Sequence, residues 1–366
     1  MILHLAPDYM NKPLYRHLME ALAQDIAEKQ YVYACDNTVH EDQAIPDNVH
    51  VVNRAFSAWE RLLFFPKQRY LLRDIESVVP FKEVQMIHAH TLFSSGYMAY
   101  RLHQKYGIPY IIAVRNTDVN VFFKHMPHLR SLGRKIAAQA EKIIFISPAY
   151  KQQVIETYLP QELEHKAVVI PNGIDPLFLE HTNHHALGET VQLIYVGRME
   201  KAKNVHTIIK AVDALRKKGL KVKLCLVGSL VEPDYKELIE TRKEYIKWHD
   251  QCSKEEVMAY LRKNDIFIMP SYEETFGLVY AEAMSQGLPI IYTKGQGFDG
   301  FFPDGEVGYK VSPNDVTEIT KKIQCIAQNY DTISQRCTKC ASRFDWKQIA
   351  AEYNTIYQGI LHSGTR

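Results

Sequence analysis

The sequence predicts an α/β protein with two doubly wound, Rossmann-like domains, and three observations lead to this prediction. The chain has 366 residues, 46% of them hydrophobic, which is more than one core usually accommodates. Short apolar runs alternate with amphipathic segments, as in parallel sheets that carry helices on both faces. The alternation stops once, in a segment rich in Pro, Gly, Asn and His, and then begins again.

The first domain is expected over residues 1–171. Its apolar runs have the length and the β-branched content of buried strands, and a helical pattern follows the first of them. The opening run has no charged leader and no small-residue cleavage site, so it is interpreted as a strand and not as a signal peptide. The predicted strands are MILHL, QYVYAC, VHVVN, VQMIHAH, PYIIAVR, KIIFIS and AVVIPN.

The second domain is expected over residues 172–346, with its boundary inside the irregular segment IPNGIDPLFLEHTNHHALGET. Its predicted strands are VQLIYVG, VKLCLVG, DIFIMP and LPIIYT, and its helices include VHTIIKAVDALRKKG and LVYAEAMSQG. A last helix, at about residues 347–366, is expected to pack back on the first domain. Strand carboxyl ends and helix amino ends of two such domains face a central cleft, so a ligand is expected there.

Composition excludes several classes of function. A formal net charge of +2 is too small for a nucleic-acid-binding protein. The six cysteines are scattered, which favours a reducing compartment, and no apolar run is long enough to cross a bilayer. The expected location is therefore the cytoplasm. A nicotinamide oxidoreductase is disfavoured because LAPDYMNKP, after the first strand, lacks the G-x-G-x-x-G pattern.

The stretch SYEETFGLVYAEAMSQGLPI places two carboxylates on either side of a Phe-Gly pair. A helix is expected to begin near Phe276 or Gly277, and its unpaired first amides favour an anion. Glu274 precedes this helix and can accept hydrogen bonds from hydroxyl groups. Glu282 lies inside it, and a vicinal diol would supply the partners that a buried carboxylate requires. A structural salt bridge or an exposed position is the alternative for Glu282.

The stretch YVGRMEKAKN contains two cations directly after a predicted strand that ends at Gly197. Arg198 can bind two phosphate oxygens with its planar fork, and Lys203 adds a compact charge, so together they can neutralise a diphosphate. Lys201 is the nearest rival for the second role. The alternative is an ordinary solvated basic loop.

GRMEKAKN and EETFGLVYAEAMSQGLP together resemble the retaining nucleotide-sugar glycosyltransferases of the GT-B fold, glycosyltransferase family 4 (glycosyl transferases group 1). Glu274 and Glu282 have the E-x7-E spacing of that family. The resemblance implies that Arg198 and Lys203 hold the donor diphosphate and that Glu282 binds the ribose. It also implies no metal and no cofactor in the chemistry, and the sequence contains no D-x-D. The donor sugar and phosphate would be held by Glu274, Thr275, Phe276, Gly277 and Leu278, and Gly197 is a further donor-binding candidate.

The function expected from this resemblance is a hexosyltransferase reaction. A sugar would pass from a nucleotide-sugar donor, with a UDP-sugar preferred, to a hydroxyl of a saccharide or a lipid-linked glycan. Bacterial surface polysaccharide assembly, such as that of lipopolysaccharide, is the expected setting. The alternatives are a non-catalytic nucleotide-sugar-binding protein and a related sugar phosphorylase.

The predicted acceptor domain departs from the family pattern after its first strand. LAPDYMNKPLYRHL contains no glycine where the family commonly has a Gly-Gly loop, so Asp8, Asn11 or Lys12 is expected to occupy that place. In VRNTDVNVFF, Arg115 stands where the family often has a histidine. Further candidates for acceptor or phosphate contacts are Arg115, Asn116 and Asp118.

Two more features of the first domain are candidates for function. His90, in MIHAHTLFSSG, resembles a family histidine near the reacting sugar, although a structural, hydrogen-bonded histidine is the alternative. The segment from Arg54 to Arg73, RAFSAWERLLFFPKQRYLLR, mixes cations with aromatic residues and suggests peripheral membrane association. Packing of these aromatic residues inside the domain is the alternative interpretation.

Overall fold

The computed structural model describes residues 1–34, 48–51 and 64–363. The chain divides into two compact units, each with its own parallel sheet. The first unit comprises Met1–Ile146, Lys151–Gly173 and Trp346–Arg366, and the second comprises Ser147–Tyr150 and Ile174–Asp345. In the described parts of the chain no helix is both long enough and apolar enough to span a bilayer.

The first unit contains a seven-stranded parallel sheet in the order β3-β2-β1-β4-β5-β6-β7. All seven strands predicted for this region are present. The chain leaves β1 toward one edge of the sheet and continues from β4 toward the other, so the strand order reverses between β1 and β4. The strands are β1 (Ile2–Leu5), β2 (Gln30–Ala34), β3 (Val49–Val51), β4 (Met86–Ala89), β5 (Tyr110–Val114), β6 (Lys142–Phe145) and β7 (Ala167–Val169).

Helices cover this sheet, and the last helix of the chain is one of them. The final helix contributes Ile349, Tyr353 and Tyr357 to the same buried cluster as Leu18 and Leu22 of the first helix. This agrees with the helical periodicity of the closing segment. The described helices are α1 (Pro13–Asp25), α2 (Phe64–Val78), α3 (Ser94–Tyr106), α4 (Arg130–Gln139), α5 (Pro148–Thr157) and, at the C terminus, α13 (Trp346–Ser363).

The second unit contains a six-stranded parallel sheet in the order β10-β9-β8-β11-β12-β13. The four predicted strands form its centre, whereas the edge strands β10 and β13 were not predicted. The strands are β8 (Val191–Val196), β9 (Val222–Val227), β10 (Ile246–His249), β11 (Ile266–Met269), β12 (Ile290–Thr293) and β13 (Gly308–Val311). The helices are α6 (Pro176–Glu180), α7 (Val205–Lys217), α8 (Asp234–Glu240), α9 (Lys254–Leu261), α10 (Leu278–Ser285), α11 (Val316–Gln328) and α12 (Tyr330–Cys340).

The topology of the second sheet brings the two predicted motifs to one place. The strand order reverses between β8 and β11, which pair directly, with Leu193 opposite Ile266. The loop after β8 begins at Gly197, and the loop after β11 leads to Gly277 and α10. Ligands of doubly wound sheets bind outside the carboxyl ends of the strands at such a reversal. The candidate site is therefore built at this position.

Candidate active site

The loops after β8 and β11 are joined by backbone and side-chain contacts. The amide of Tyr272 donates to the carbonyl of Ala202 (2.9 Å), and the Lys203 ammonium donates to Glu274 Oε2 (2.7 Å). Both charged side chains are largely buried. Such a charge-assisted bond holds the two loops in one arrangement. The structure thus brings Lys203 and Glu274, predicted from separate motifs, into direct contact.

Glu274 is fixed on three further sides. Its Oε1 accepts hydrogen bonds from the amides of Thr275 (3.0 Å) and Phe276 (3.4 Å). Its own amide donates to Gln296 Oε1 (3.1 Å), and its carbonyl accepts from the amide of Gly297 (2.7 Å). Sequence reasoning did not single out Gln296. The two glycines beside it, in GQG, are the signal that a close backbone approach occurs there.

Helix α10 begins at Leu278, and Gly277 precedes it in the left-handed conformation, with φ +79°. The helix therefore starts one residue after the later of the two predicted positions. A Cβ on Gly277 would lie 2.5 Å from the Tyr280 ring, so this position requires glycine. Within the described residues the amides of Gly277 and Leu278 have no hydrogen-bond acceptor. Free amides at a helix start attract anions, and the phosphate site predicted here stays a prediction.

Glu282 lies one turn further along α10 and is half-buried. Burial raises the pKa of its carboxyl from 4.5 to about 7, and this effect is partly offset by the nearby Lys254 ammonium. Lys254 itself pairs with Asp175 (2.5 Å). Among the described residues the Glu282 carboxylate has no hydrogen-bond or ion-pair partner, so the salt-bridge alternative is not observed there. A carboxylate in this position can accept bonds from the hydroxyl groups of a ligand.

Gly197 and Arg198 follow β8 directly. The Gly197 amide donates to Val227 of β9 (2.9 Å), and the Arg198 carbonyl accepts from the Tyr195 hydroxyl (2.8 Å). The backbone of this turn is thus well anchored, whereas the Arg198 side chain is 68% exposed. Its ion-pair partner is Glu200, at 3.2 Å. Exposed pairs of this kind contribute little, so the guanidinium is available for another anion.

Asn204 supports Lys203 from the following position and was not identified from the sequence. It is fully buried and has a left-handed backbone, with φ 58°. Its side-chain Nδ2 donates to the carbonyls of Pro270 (3.0 Å) and Pro313 (2.7 Å). Asn is one of the few residues that adopt this conformation readily, which explains why it stands between the turn of Lys203 and helix α7.

In the first unit, Asp118 connects the loops that follow β4 and β5. Its carboxylate accepts from the amides of Leu92 (3.0 Å), Phe93 (3.0 Å) and Arg115 (2.9 Å). Burial raises the pKa of Asp118 to about 6, although these three amides act in the opposite direction. Asp118 is the first residue of a short π-helix (Asp118–Phe123), a feature often found at functional sites.

The other polar candidates of the first unit lie in two groups. Arg115 donates to Asn172 Oδ1 (2.5 Å) and lies over the Tyr15 ring, 5.7 Å from its centroid. The exposed Asn116 accepts a hydrogen bond from Asn120. After β1, Lys12 pairs with Asp8 (2.5 Å), and both side chains are about half exposed. Asn11, beside them, is exposed.

A cavity of about 240 Å³ lies near the carboxyl ends of β1, β2 and β4 within the first unit. Asp8, Thr91 and Asp118 contribute to its wall together with Lys67 and Gln68 of α2. Gln68 is 1% exposed, and within the described residues its Oε1 has no donor. A buried acceptor without a partner indicates that a donor from a ligand or from water belongs there.

His90 is the end of a buried hydrogen-bonded chain. The Gln30 amide nitrogen donates to the carbonyl of Glu28 (2.7 Å), so Gln30 Oε1 faces His4 Nε2 (2.6 Å) and must accept its proton. His4 Nδ1 then accepts from His90 Nε2 (3.2 Å). Burial lowers the pKa of His4 to about 4 and that of His90 well below its ordinary value, so both rings are neutral. The lone pair of His90 Nδ1 has no partner among the described residues.

His88 lies beside this chain, and His4, His88 and His90 form a group whose nitrogen atoms approach within 4.8 Å of one another. Three histidines could in principle bind a metal ion. The rings of His88 and His90 are stacked, however, with centroids 3.9 Å apart and an interplanar angle of 28°. His4 also uses both of its ring nitrogens in hydrogen bonds, to Gln30 and to His90, so it offers no lone pair to an ion. His88 Nδ1 is also paired with the Tyr357 hydroxyl (2.6 Å).

Residues 54–63 of the basic and aromatic segment, among them Arg54, Trp59, Glu60 and Arg61, fall outside the described residues. The rest belongs to α2. There Phe64 contacts Tyr97 and Phe122 edge-on, with centroids 5.5 and 5.9 Å apart, whereas Phe65 is 50% exposed. In the described part of this segment, Phe64 is therefore packed against other rings, whereas Phe65 is exposed.

The match to two family models identifies this chain, with its two doubly wound units, as a glycosyltransferase. Residues 15–177 match the family model described as Glycosyltransferase Family 4, and residues 180–343 match the model described as Glycosyl transferases group 1. The chain belongs to this glycosyltransferase family and has the GT-B fold, as the resemblance of its motifs implied.

Several named proteins are similar to this chain. The glycosyltransferase MJ1178 of Methanocaldococcus jannaschii is 24% identical over 288 residues, 78% of each chain. The capsular polysaccharide biosynthesis glycosyltransferase CapM of Staphylococcus aureus is 28% identical over 242 residues, 59% of this chain and 62% of CapM. The crystal structure of Anabaena Alr3699/HepE in complex with UDP has a TM-score of 0.74 and 17% identity, with 98% of this chain and 99% of that chain covered.

Proposed function

We propose that this glycosyltransferase moves a hexose from a UDP-sugar to a hydroxyl of a saccharide or lipid-linked glycan, with retention of anomeric configuration. The observation that carries the proposal is the group at the start of α10. Free amides, the Lys203–Glu274 pair and the unpartnered Glu282 carboxylate all lie there. The proposed setting is cytoplasmic assembly of a bacterial surface polysaccharide. The names of HepE, solved with UDP, and of CapM support the donor and the setting.

The diphosphate would be held by the two cations and the helix start. Lys203 already lies against Glu274, and the exposed Arg198 needs only to exchange its weak pairing with Glu200 for a phosphate oxygen. The free amides of Gly277 and Leu278 would donate to the same group. Preorganised donors of this kind stabilise the negative charge that develops on a leaving group. Their role is to make the nucleoside diphosphate a good leaving group.

Glu282 would bind the ribose, and Glu274 would bind the donor sugar. An ionised carboxylate accepts from both hydroxyls of a vicinal diol, and Glu282 has no other partner among the described residues. The backbone of Thr275 and Phe276 orients Glu274 through its Oε1, and Gln296 orients it through its amide. The carboxylate of Glu274 thus has a fixed direction before a sugar arrives, which lowers the ordering cost of binding.

Retention would follow because the acceptor oxygen attacks the anomeric carbon on the same face from which the diphosphate departs. The bond between the anomeric carbon and the phosphate oxygen breaks, and the acceptor oxygen bonds to the same carbon. The acceptor proton passes to the departing phosphate, so atoms and charge balance without a protein base. Arg198 and Lys203 remain paired with the diphosphate during this step.

The acceptor is proposed to bind in the first unit. Its cavity offers hydroxyl, carboxylate and amide groups that suit a polyhydroxylated molecule, and Gln68 Oε1 there has no donor in the described part of the chain. The free lone pair of His90 Nδ1 would accept from a substrate hydroxyl. Asn11, Lys12, Arg115 and Asn116 remain proposed contacts of the acceptor or of its phosphate.

The proposal is tested by UDP release from a panel of UDP-sugars, with saccharide and lipid-linked acceptors. We expect Lys203→Ala and Arg198→Ala to lower kcat strongly, and Lys221→Ala, a surface cation paired with Glu189, to leave it unchanged. Proton NMR of the product gives the anomeric configuration, and inversion would contradict the proposal. Binding of UDP without turnover would instead indicate a binding protein, and dependence on inorganic phosphate a phosphorylase.

A further inference from the structure

A cationic groove runs between α2 and α3 on the first unit and has no part in the chemistry proposed above. It has a volume of about 640 Å³. Arg69 and Arg73 face it from α2, one helical turn apart, and Arg101 and Lys105 face it from α3 with the same spacing. We call this feature the α2–α3 groove. It is lined by two rows of cations on neighbouring helices.

The positive charge of the α2–α3 groove is poorly compensated. Glu76 is the acidic residue of its lining, and it pairs with Lys105 (2.8 Å). Four cations and one acid leave a formal charge of +3. Among the described residues Arg69 and Arg73 have no hydrogen-bond or ion-pair partner. Arg101 donates to a neutral group, the Tyr97 hydroxyl (3.2 Å). Concentrated, unpaired positive charge is maintained at a cost in self-repulsion and indicates an anionic partner.

An exposed aromatic ring belongs to the same groove. Phe65 is 50% exposed, although it contacts Phe64 and Tyr97 edge-on at centroid distances of 5.3 and 6.0 Å. A soluble polyanion would satisfy the cations but would leave this ring in water. The interface of a bilayer satisfies both, since lipid phosphates meet the cations and the ring enters the boundary of the acyl chains.

We propose that the α2–α3 groove docks the first unit on an anionic lipid bilayer, with headgroup phosphates against the four cations and Phe65 in the interface. The inference deepens the proposed function, because it rests on a lipid-linked acceptor being used at a membrane. Each cation near an anionic surface contributes about a fivefold gain in binding. Attachment through one side chain would be weak, whereas four cations and a ring together hold the unit reversibly.

The test is co-sedimentation of the full chain with vesicles of phosphatidylglycerol and phosphatidylcholine, and with vesicles of phosphatidylcholine alone. We expect binding to the anionic vesicles and its loss with added salt. Arg69→Gln/Arg73→Gln should weaken binding about tenfold or more, because two surface cations are lost. The matched control is Lys135→Gln/Lys236→Gln, which removes two exposed cations outside the groove and should bind as the parent does.

The substitution Phe65→Ser distinguishes the contribution of the aromatic ring from that of the four cations. It should weaken binding to anionic vesicles several-fold and reduce its salt dependence little, since no charge changes. If the parent binds neither vesicle, binds both equally, or binds anionic vesicles as well after Arg69→Gln/Arg73→Gln, the proposal is wrong. Equally tight binding of inorganic polyphosphate in solution would replace the bilayer by a soluble polyanion.

The outcome is independent of the chemistry at α10. UDP release with a soluble acceptor should be unchanged in all three variants, because none of the substituted residues contacts the described donor site. Failure of the donor panel with intact vesicle binding would contradict the proposed function alone. Retained UDP release without vesicle binding would contradict the docking surface alone.

Discussion

At the scale of single residues, the position of one proton determines what His90 can bind. The side-chain Oε1 of Gln30 accepts from His4 Nε2, which leaves His4 Nδ1 as the acceptor for His90 Nε2. His90 is therefore restricted to one tautomer, with the lone pair on Nδ1. The sequence indicated His90 but gave no sign of this chain, because Gln30, His4 and His90 lie far apart in the sequence and meet only through pairing of β1 with β2 and β4.

The substitution Gln30→Leu tests the hydrogen-bonded series from Gln30 through His4 to His90. The substitution leaves the buried Nε2 proton of His4 without an acceptor, so we expect the free energy of unfolding to fall by about 1 to 3 kcal/mol. Urea denaturation measures the change. The control is Gln152→Leu on α5, whose exposed amide donates to Glu156, and it should alter stability by less than about 0.5 kcal/mol. Equal losses in the free energy of unfolding for the two substitutions would argue against this hydrogen-bonded series.

Glu282 illustrates a cost in stability that the proposed site imposes. Burial raises its carboxyl pKa from 4.5 to about 7. Between the two pKa values the carboxyl is protonated in the folded chain and ionised in the unfolded chain. The free energy of unfolding therefore falls as the pH rises through this range. We expect Glu282→Gln to be more stable than the parent at about pH 8, by about 1 to 3 kcal/mol, and the gain to shrink toward about pH 5.

The same substitution should weaken UDP binding about tenfold to hundredfold at about pH 8, since a charged acceptor is lost. Urea denaturation across this pH range and calorimetric titration of UDP measure the two effects. Glu244→Gln, at an exposed position, is the control for both and should change neither. A pH-independent gain in stability for Glu282→Gln would show that its carboxyl titrates normally.

At the scale of elements, the start of α10 depends on one glycine. Gly277→Ala places a Cβ 2.5 Å from the Tyr280 ring in a backbone conformation that L-residues rarely adopt. We expect a loss of about 2 to 4 kcal/mol in the free energy of unfolding and a weaker affinity for UDP. Gly219→Ala is the matched control, because its φ is +84° but the space around it is open. It should cost about 1 kcal/mol and leave UDP binding intact.

The central strands of both sheets could be predicted from the sequence, and the edges of the second sheet could not. Strands such as β5 and β11 are buried at every position and appear as continuous apolar runs. By contrast, β10 (IKWH) has two exposed central residues, so its composition resembles that of a loop. An edge strand is identified by its neighbour, here β9, and no local pattern carries that information.

The candidate site could be predicted to a similar extent. Arg198, Lys203, Glu274 and Glu282 stand in two short motifs, and the observed contact between Lys203 and Glu274 agrees with the order of strands in a doubly wound sheet. The supporting residues are different. Gln296 contacts Glu274 from a loop after β12, and Asn204 contacts two prolines from distant loops. Such contacts arise only from tertiary packing, which local spacing does not encode.

At the scale of the whole molecule, the chain completes its first unit with its last helix. Trp346, Ile349, Tyr353 and Tyr357 of α13 join the core formed by α1 and the first sheet. The Tyr357 hydroxyl also pairs with His88, at the end of β4. These contacts join residues nearly a whole chain apart, so the first unit depends on loop closure over long distances, which slows folding.

The arrangement of the donor residues leads to a prediction for the whole chain. Every side chain and amide proposed to hold the donor belongs to the second unit. UDP at about one hundred times its Kd should therefore stabilise the native chain by about 2.7 kcal/mol. Hydrogen exchange should show protection by UDP at residues 201–204 and 274–279, and Lys203→Ala should abolish it. Protection centred on the cavity of the first unit would place the nucleotide there and reverse the proposed assignment of donor and acceptor.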